Sequence, residues 1–150
     1  MDKYTIGIDY GTLSGRGVLV RCKDGNIMAT TSKNYSHGVI ENELFESPLP
    51  PGFCLQHPQD YIDTLIYIIP ELLKQSHINP KDTIGIGIDF TSCTILPVDK
   101  NNNPLCMLPE FSHEKHAYAK LWKHHSSQKQ ADKINELLIQ LKLGDTPRFG

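Results

Sequence analysis

The sequence predicts an α/β fold, a mixed sheet with an antiparallel meander and flanking helices. Three observations carry this expectation. Three β-rich segments follow one another closely near the N-terminus, an amphipathic helix opened by a proline comes next, and a further alternating strand follows the helix.

The first strand is read at residues 4–9 (YTIGID), rich in β-branched residues and followed by the turn signal Tyr10-Gly11-Thr12. The second covers 16–22 (RGVLVRC) and runs into Lys23-Asp24-Gly25-Asn26, where Asp-Gly between apolar residues is a strong hairpin signal. Residues 27–35 complete the meander. Residues 37–57 hold Pro48, Pro50, Pro51 and Gly52 and read as a long irregular loop. Pro58 then opens a helix with Gln59 and Asp60 in its first turn. Tyr61, Leu65, Ile68, Ile69, Leu72 and Leu73 form its apolar stripe, and Pro70 inside the run should kink or divide it.

A second β unit follows at residues 83–90 (TIGIGIDF). Its isoleucines recur at every second position, so one face should pack on the core while glycines keep the other low. Residues 94–98 continue as a strand, and 99–104 form a polar turn. From His113 onward the pattern predicts helix: Ala117, Leu121 and Trp122 suit one, Ala131, Ile134, Leu137, Leu138 and Leu141 a second. Gly144 and Pro147 should end it.

Composition narrows the function classes. Hydrophobic residues at 39% and charged residues at 21% suit a packed core with a solvated surface, and 150 residues suffice for one domain. A net charge of -2 gives no general field for nucleic acid or anionic membrane. Cys22, Cys54, Cys93 and Cys106 form no C-x-x-C pair. His113-Glu114-Lys115-His116 is one residue too short for a zincin motif, and most of the seven histidines should face solvent. With no apolar leader and no bilayer-length apolar run, the expectation is a reduced cytoplasmic protein.

The chemistry concentrates in residues 6–16 (IGIDYGTLSGR). A carboxylate, Asp9, ends a strand, and a glycine-containing turn with hydroxyls follows. Gly11 lets backbone approach a ligand, and concave arrays of N–H groups hold phosphate. Thr12 and Ser14 add donors. Asp9 can hold a hydrated Mg²⁺, which favours one or two carboxylates plus phosphate oxygens. Positioning and charge neutralisation are the main needs of phosphoryl transfer. A plain β-hairpin explains the same residues. Walker A and G-x-G-x-x-G patterns are absent.

The stretch IGIDYGTLSGRGVLV resembles the first phosphate loop of the superfamily holding actin, heat-shock chaperones and sugar kinases. More narrowly, it resembles the FGGY carbohydrate kinases. Three further segments resemble the ribulokinase branch of that family, in the same order: HGVIENELFESPLPPGFCLQHPQDY, IGIGIDFTSCTILPVDKNNNPLCML and KLWKHHSSQKQADKINEL. The resemblance implies an actin-like, ribonuclease H-like fold, with residues 1–150 as the N-terminal part of the first, sugar-binding domain. The C-terminal ATP-binding domain would lie outside this chain.

The same resemblance implies ATP and Mg²⁺ as cofactors, with Asp9 organising Mg²⁺ through water and Gly11, Thr12 and Ser14 facing the phosphates. It implies Thr91, Ser92, Cys93 and Trp122 at the sugar, here L-ribulose, made into L-ribulose 5-phosphate in arabinose breakdown. Thr91, Ser92 and Thr94 could equally satisfy turn geometry, and Trp122 could pack on a sugar or fill the core. Arg16 and Asp89 suit structural roles as well. Many FGGY kinases carry an aspartate after this tryptophan, whereas here Lys123 and His124 follow. The family's catalytic aspartate lies later than Gly150, so no residue of this chain is expected to be the general base and the isolated chain should be inactive. A homo-oligomer of the full-length protein is left open. Alternatives are a kinase for xylulose, another pentulose or glycerol, or an actin-fold nucleotide-binding module without transferase activity.

Overall fold

A computed structural model of the chain describes residues 2–141. Strands β1 (Tyr4–Tyr10), β2 (Ser14–Arg21) and β3 (Ile27–Asn34) form the expected antiparallel meander. Three two-residue strands follow, β4 (Glu43–Leu44), β5 (Ser47–Pro48) and β6 (Leu55–Gln56). Helix α1 (Gln59–Ser76) then crosses over to β7 (Thr83–Phe90), and β8 (Ala119–Lys120) and α2 (Gln128–Gln140) complete the described elements. The main sheet has the order β3-β2-β1-β7, with β7 parallel to β1. A parallel pair needs such a crossover connection, and α1 supplies it.

Helix α1 packs on β2 and β3. Ile6, Ile8, Tyr10, Leu19, Ala29 and Tyr35 meet Ile68 and Leu72 in the main core. Close approach depends on two glycines of β2: a Cβ at Gly15 would lie 2.2 Å from Thr64 Cγ2, and one at Gly17 would lie 2.2 Å from Ile68 Cγ2. Gly87 on β7 has nothing within 4 Å of that position. Gly17→Ala should therefore cost about 1–3 kcal/mol through overpacking, while Gly87→Ala stays within about 0.5 kcal/mol. Urea unfolding of the two variants measures the contrast.

The structure corrects several sequence expectations. Pro70 does not divide α1, which runs unbroken through it. Pro70 and Ile66 are both exposed, so the Ile66 carbonyl that loses its helical donor faces solvent. The isoleucines of β7 do not pack on the core: Ile84, Ile86 and Ile88 are 64%, 51% and 56% exposed. Ile86 and Ile88 are register partners of the buried Ile6 and Ile8 and face the same side of the sheet, but α1, which covers that side, packs on β2 and β3 and stops short of this edge strand.

Residues 94–98 make only isolated bridges, Ile95 to Lys120 and Val98 to Pro104, rather than a strand. The helix expected from His113 is replaced by a 3-10 turn, Lys115–Ala117, and by β8, whose Ala119 pairs with Gln56. Ala117 and Tyr118 are buried there with Leu55, Phe53 and Cys106 in a second core, and Leu121 is buried as well. Backbone pairing with β6 overrode an apolar spacing that also fits a helix. The long loop is correspondingly ordered, with a β4/β5 hairpin and β6 clamped by β8. Helix α2 forms as expected, with Ile134 and Leu137 exposed at 45% and 46%; Gly144 and Pro147 lie outside the described residues.

All four cysteines are free, Cys54 and Cys106 buried, Cys22 and Cys93 exposed. Five histidines, His37 among them, are exposed, and His57 and His124 are half-buried. No helix of the described residues is long and apolar enough to cross a membrane.

Candidate functional site

Strands β1 and β7 run parallel, so the loops that follow them leave the sheet side by side. Such carboxyl-end crevices are where open α/β sheets bind ligands. The pairing is residue by residue: Ile6 with Ile86, Gly7 with Gly87, Ile8 with Ile88, and Asp9 with Asp89. A hydrogen bond from Thr91 N to Tyr10 O at 3.1 Å carries the ladder one step past the strands. Because side chains alternate along a strand, Ile6, Ile8 and Tyr10 enter the core under α1, whereas the glycines and both aspartates face the other way.

On that opposite face lies an open cleft of about 820 Å³, lined by Gly7, Asp9, Arg16, Thr31, Gly87 and Asp89 among others. The glycines leave its floor low. Arg16 is the cross-strand partner of Asp9, and its Nη1 sits 3.9 Å from Asp9 Oδ2. Their side chains are 71% and 48% exposed, so this pair is worth less than about 1 kcal/mol and leaves Asp9 free to take another partner.

The turn between β1 and β2 is closed by Gly11 N donating to Ser14 O at 3.0 Å. Thr12, at its tip, is held twice. Gln56 Nε2 donates to its carbonyl at 2.8 Å, and Trp122 Nε1 donates to its hydroxyl oxygen at 3.3 Å. Two segments predicted separately, the phosphate turn and the sugar segment, therefore meet at one residue. Trp122 is 55% exposed and does not fill the core.

The backbone around Trp122 is firmly placed. Leu121 N donates to Cys54 O at 3.0 Å and His125 N to Gly52 O at 2.8 Å. Cys54 N donates to His124 Nδ1 at 3.1 Å, which leaves Nε2 to carry the ring proton toward Ser126 Oγ at 2.6 Å. Burial, followed by the charge of Lys120, lowers the His124 pKa and favours this neutral ring.

The other predicted residues lie next to this arrangement. Thr91 Oγ1 and Thr94 Oγ1 are 2.9 Å apart, so these two hydroxyls do satisfy each other within the turn. Ser92 is exposed. Cys93 is held at φ 60 and shares a groove of about 420 Å³ with Trp122, His124 and Gln128. Asp9 and Asp89 are brought together, as are Thr12 with Trp122 and Cys93 with Trp122.

Two contributors escaped sequence reasoning. The pairing of Asp89 with Asp9 had a visible signal, because the tetrapeptide Ile-Gly-Ile-Asp occurs at residues 6–9 and again at 86–89. Gln56 had none: it stands in a proline-rich stretch, and only the β6–β8 pairing buries it beneath the turn.

Residues 4–144 match the FGGY family of carbohydrate kinases, N-terminal domain. The chain belongs to the FGGY family. Curated FGGY relatives include the ribulokinase of Geobacillus thermodenitrificans, 51% identical over 150 residues, covering 99% of this chain and 26% of the relative. The ribulokinase of Bacillus licheniformis is 56% identical over 127 residues, covering 83% and 23%. The chain thus spans about a quarter of the length of these relatives. Among solved FGGY-like folds, gluconate kinase from Lactobacillus acidophilus superposes with a TM-score of 0.71 at 19% identity, covering 95% of this chain and 24% of that one. A ligand-bound xylulose kinase from the same organism gives 0.69 at 19% identity, covering 93% and 24%. The expected mixed α/β sheet of the sugar-kinase fold is therefore present.

Proposed function

We propose that this chain is the N-terminal portion of a cytoplasmic kinase that transfers the γ-phosphate of ATP to L-ribulose, giving L-ribulose 5-phosphate for arabinose breakdown. The observation that carries this reading is the 51% identity to a ribulokinase, sustained over 99% of the chain. In this reading residues 1–150 belong to the sugar-binding domain, and the nucleotide-binding domain and general base come from the remainder of the full-length protein.

The donor chemistry fits Mg²⁺. Asp9 and Asp89 present two carboxylates in register on the open face, and no group of three or more metal-ligating side chains is placed to enclose a cation among the described residues. Mg²⁺ takes few protein ligands and completes its octahedron with water and phosphate oxygens. When bound, it would neutralise charge on the transferring phosphoryl group. Asp9 would hold it through water, Asp89 would stand beside it, and the turn at Gly11, Thr12 and Ser14 would face the phosphates. Trp122 and Cys93, next to Thr91 and Ser92, would border the sugar.

A coupled assay of ADP release by the full-length protein tests this, with L-ribulose, D-xylulose and glycerol supplied separately. Turnover highest with L-ribulose is expected. Preference for xylulose or glycerol would reassign the substrate, and sugar-independent hydrolysis alone would replace the kinase reading with that of a nucleotide-binding module.

A further inference from the structure

Gln56 is a buried amide for which the proposed reaction names no task. It is 1% exposed, yet it lies on the two-residue strand β6 rather than in the main sheet. Both ends of its side chain are used. Nε2 donates to Thr12 O at 2.8 Å, and Oε1 accepts from the Tyr61 hydroxyl at 2.7 Å. Tyr61 in turn accepts at its backbone carbonyl from the Tyr10 hydroxyl at 3.1 Å, and Tyr10 closes β1. The amide thus connects the tip of the turn to α1 and to the end of the strand that carries Asp9.

A trans peptide places its C=O and the next residue's N–H on opposite sides. With the Thr12 carbonyl held inward by Gln56, the Leu13 N–H is turned outward, and Leu13 is 61% exposed. That N–H donates to no acceptor among the described residues, while the Leu13 carbonyl is fixed by Tyr35 N at 2.9 Å. The Thr12 hydroxyl is handled in the same way. An indole N–H is a donor only, so Trp122 takes up the hydroxyl as an acceptor and leaves its proton unspent.

We infer that Gln56 is a positioning residue: by pinning the Thr12 carbonyl it aims the Leu13 N–H at a nucleotide phosphate, beside the Thr12 hydroxyl that Trp122 orients. This rests on the assignment of the Gly11–Ser14 turn to phosphate made above, and it adds a residue that never touches the ligand.

The test uses MgATP binding to the full-length protein by titration calorimetry, together with steady-state kinetics. Gln56→Glu keeps the acceptor for Tyr61 and removes the donor to Thr12. At pH 8 it should weaken MgATP binding about tenfold, the size of one lost oriented hydrogen bond, and raise KM for ATP far more than KM for the sugar. A buried carboxyl has a raised pKa, so acidification returns a donor and the defect of Q56E should shrink toward pH 5.5. Gln56→Met, which can neither donate nor regain a proton, should show the same weakening without recovery. Equal MgATP affinity in wild type and Q56E at pH 8, or a defect of equal size at both pH values, overturns the proposal. Wild-type protein that binds no MgATP removes the phosphate assignment and the proposal with it. MgATP binding that responds to Q56E without turnover of L-ribulose upholds the proposal and sinks only the substrate assignment.

Discussion

Asn in place of Asp9 should lower sugar-dependent ADP formation by the full-length protein at least ~100-fold, the usual cost of removing one charge-stabilising group from a reacting centre, while leaving the fold intact. The two halves of this expectation have separate grounds. Asp9 is about half exposed, its one ionic partner among the described residues is the exposed Arg16 at 3.9 Å, and its backbone keeps its ladder bonds whatever the side chain. Losing that pair costs less than about 1 kcal/mol, so Tm should move by only a few degrees. Activity has no such cushion. Under the proposed role the carboxylate would hold, through water, a cation that neutralises charge on the phosphates, and an amide carries no charge to do so. Asp89→Asn is the informative companion, since its Cα partner is Asp9 on the same open face. A smaller loss there, relieved by raised Mg²⁺, would mark Asp89 as a water-mediated second ligand. Turnover of the Asp9→Asn variant within tenfold of wild type would remove Asp9 from the phosphate site.

The legible parts of this molecule were those governed by local pattern. The meander shows in its β-branched runs and in Asp24-Gly25, where Gly25 takes the positive φ that the hairpin needs. The α1 stripe shows in its helical spacing, and its Ile68 and Leu72 are fully buried in the main core. What failed to show were pairings between distant short segments. Strand β8 has two residues and no alternation to detect, and it exists because β6 offers a partner more than sixty positions earlier. The same contact decides the site. Thr12 meets Trp122 and Gln56 only because β6 and β8 draw the loop and the later segment under the turn. The isoleucines of β7 misled for a different reason: alternation reports that a face is apolar, not that an element within this chain covers it.

Asp60 illustrates the same limit, and its removal should be costly to stability. Its sequence position suggested only a helix-start carboxylate, but it is 2% exposed and accepts from Ser36 N at 3.1 Å, His37 N at 3.2 Å and His37 Nδ1 at 2.9 Å. Those bonds fasten the end of the meander to the first turn of α1. Asp60→Ala would strand two backbone donors in a part-buried place and should cost about 3 kcal/mol, given roughly 1–3 kcal/mol for each unsatisfied group. A shift in urea midpoint below that of a 1 kcal/mol surface change would show that water replaces the carboxylate freely. Acid should expose the same joint. The His57 ring stacks on His37 with centroids 4.2 Å apart, and its Nδ1 accepts from Gln59 N at 3.2 Å. Burial first, then His37, holds the His57 pKa below its ordinary value, with Asp60 pulling the other way. A histidine depressed in the folded state is protonated more readily when unfolded, so its contribution is intact above about pH 6.5 and is lost as pH falls below that. Asp60→Ala removes the opposing anion and lowers the folded-state value further. The variant should therefore lose stability more steeply than wild type between pH 7 and pH 5, and parallel pH profiles for the two proteins would show that His57 does not sense this carboxylate.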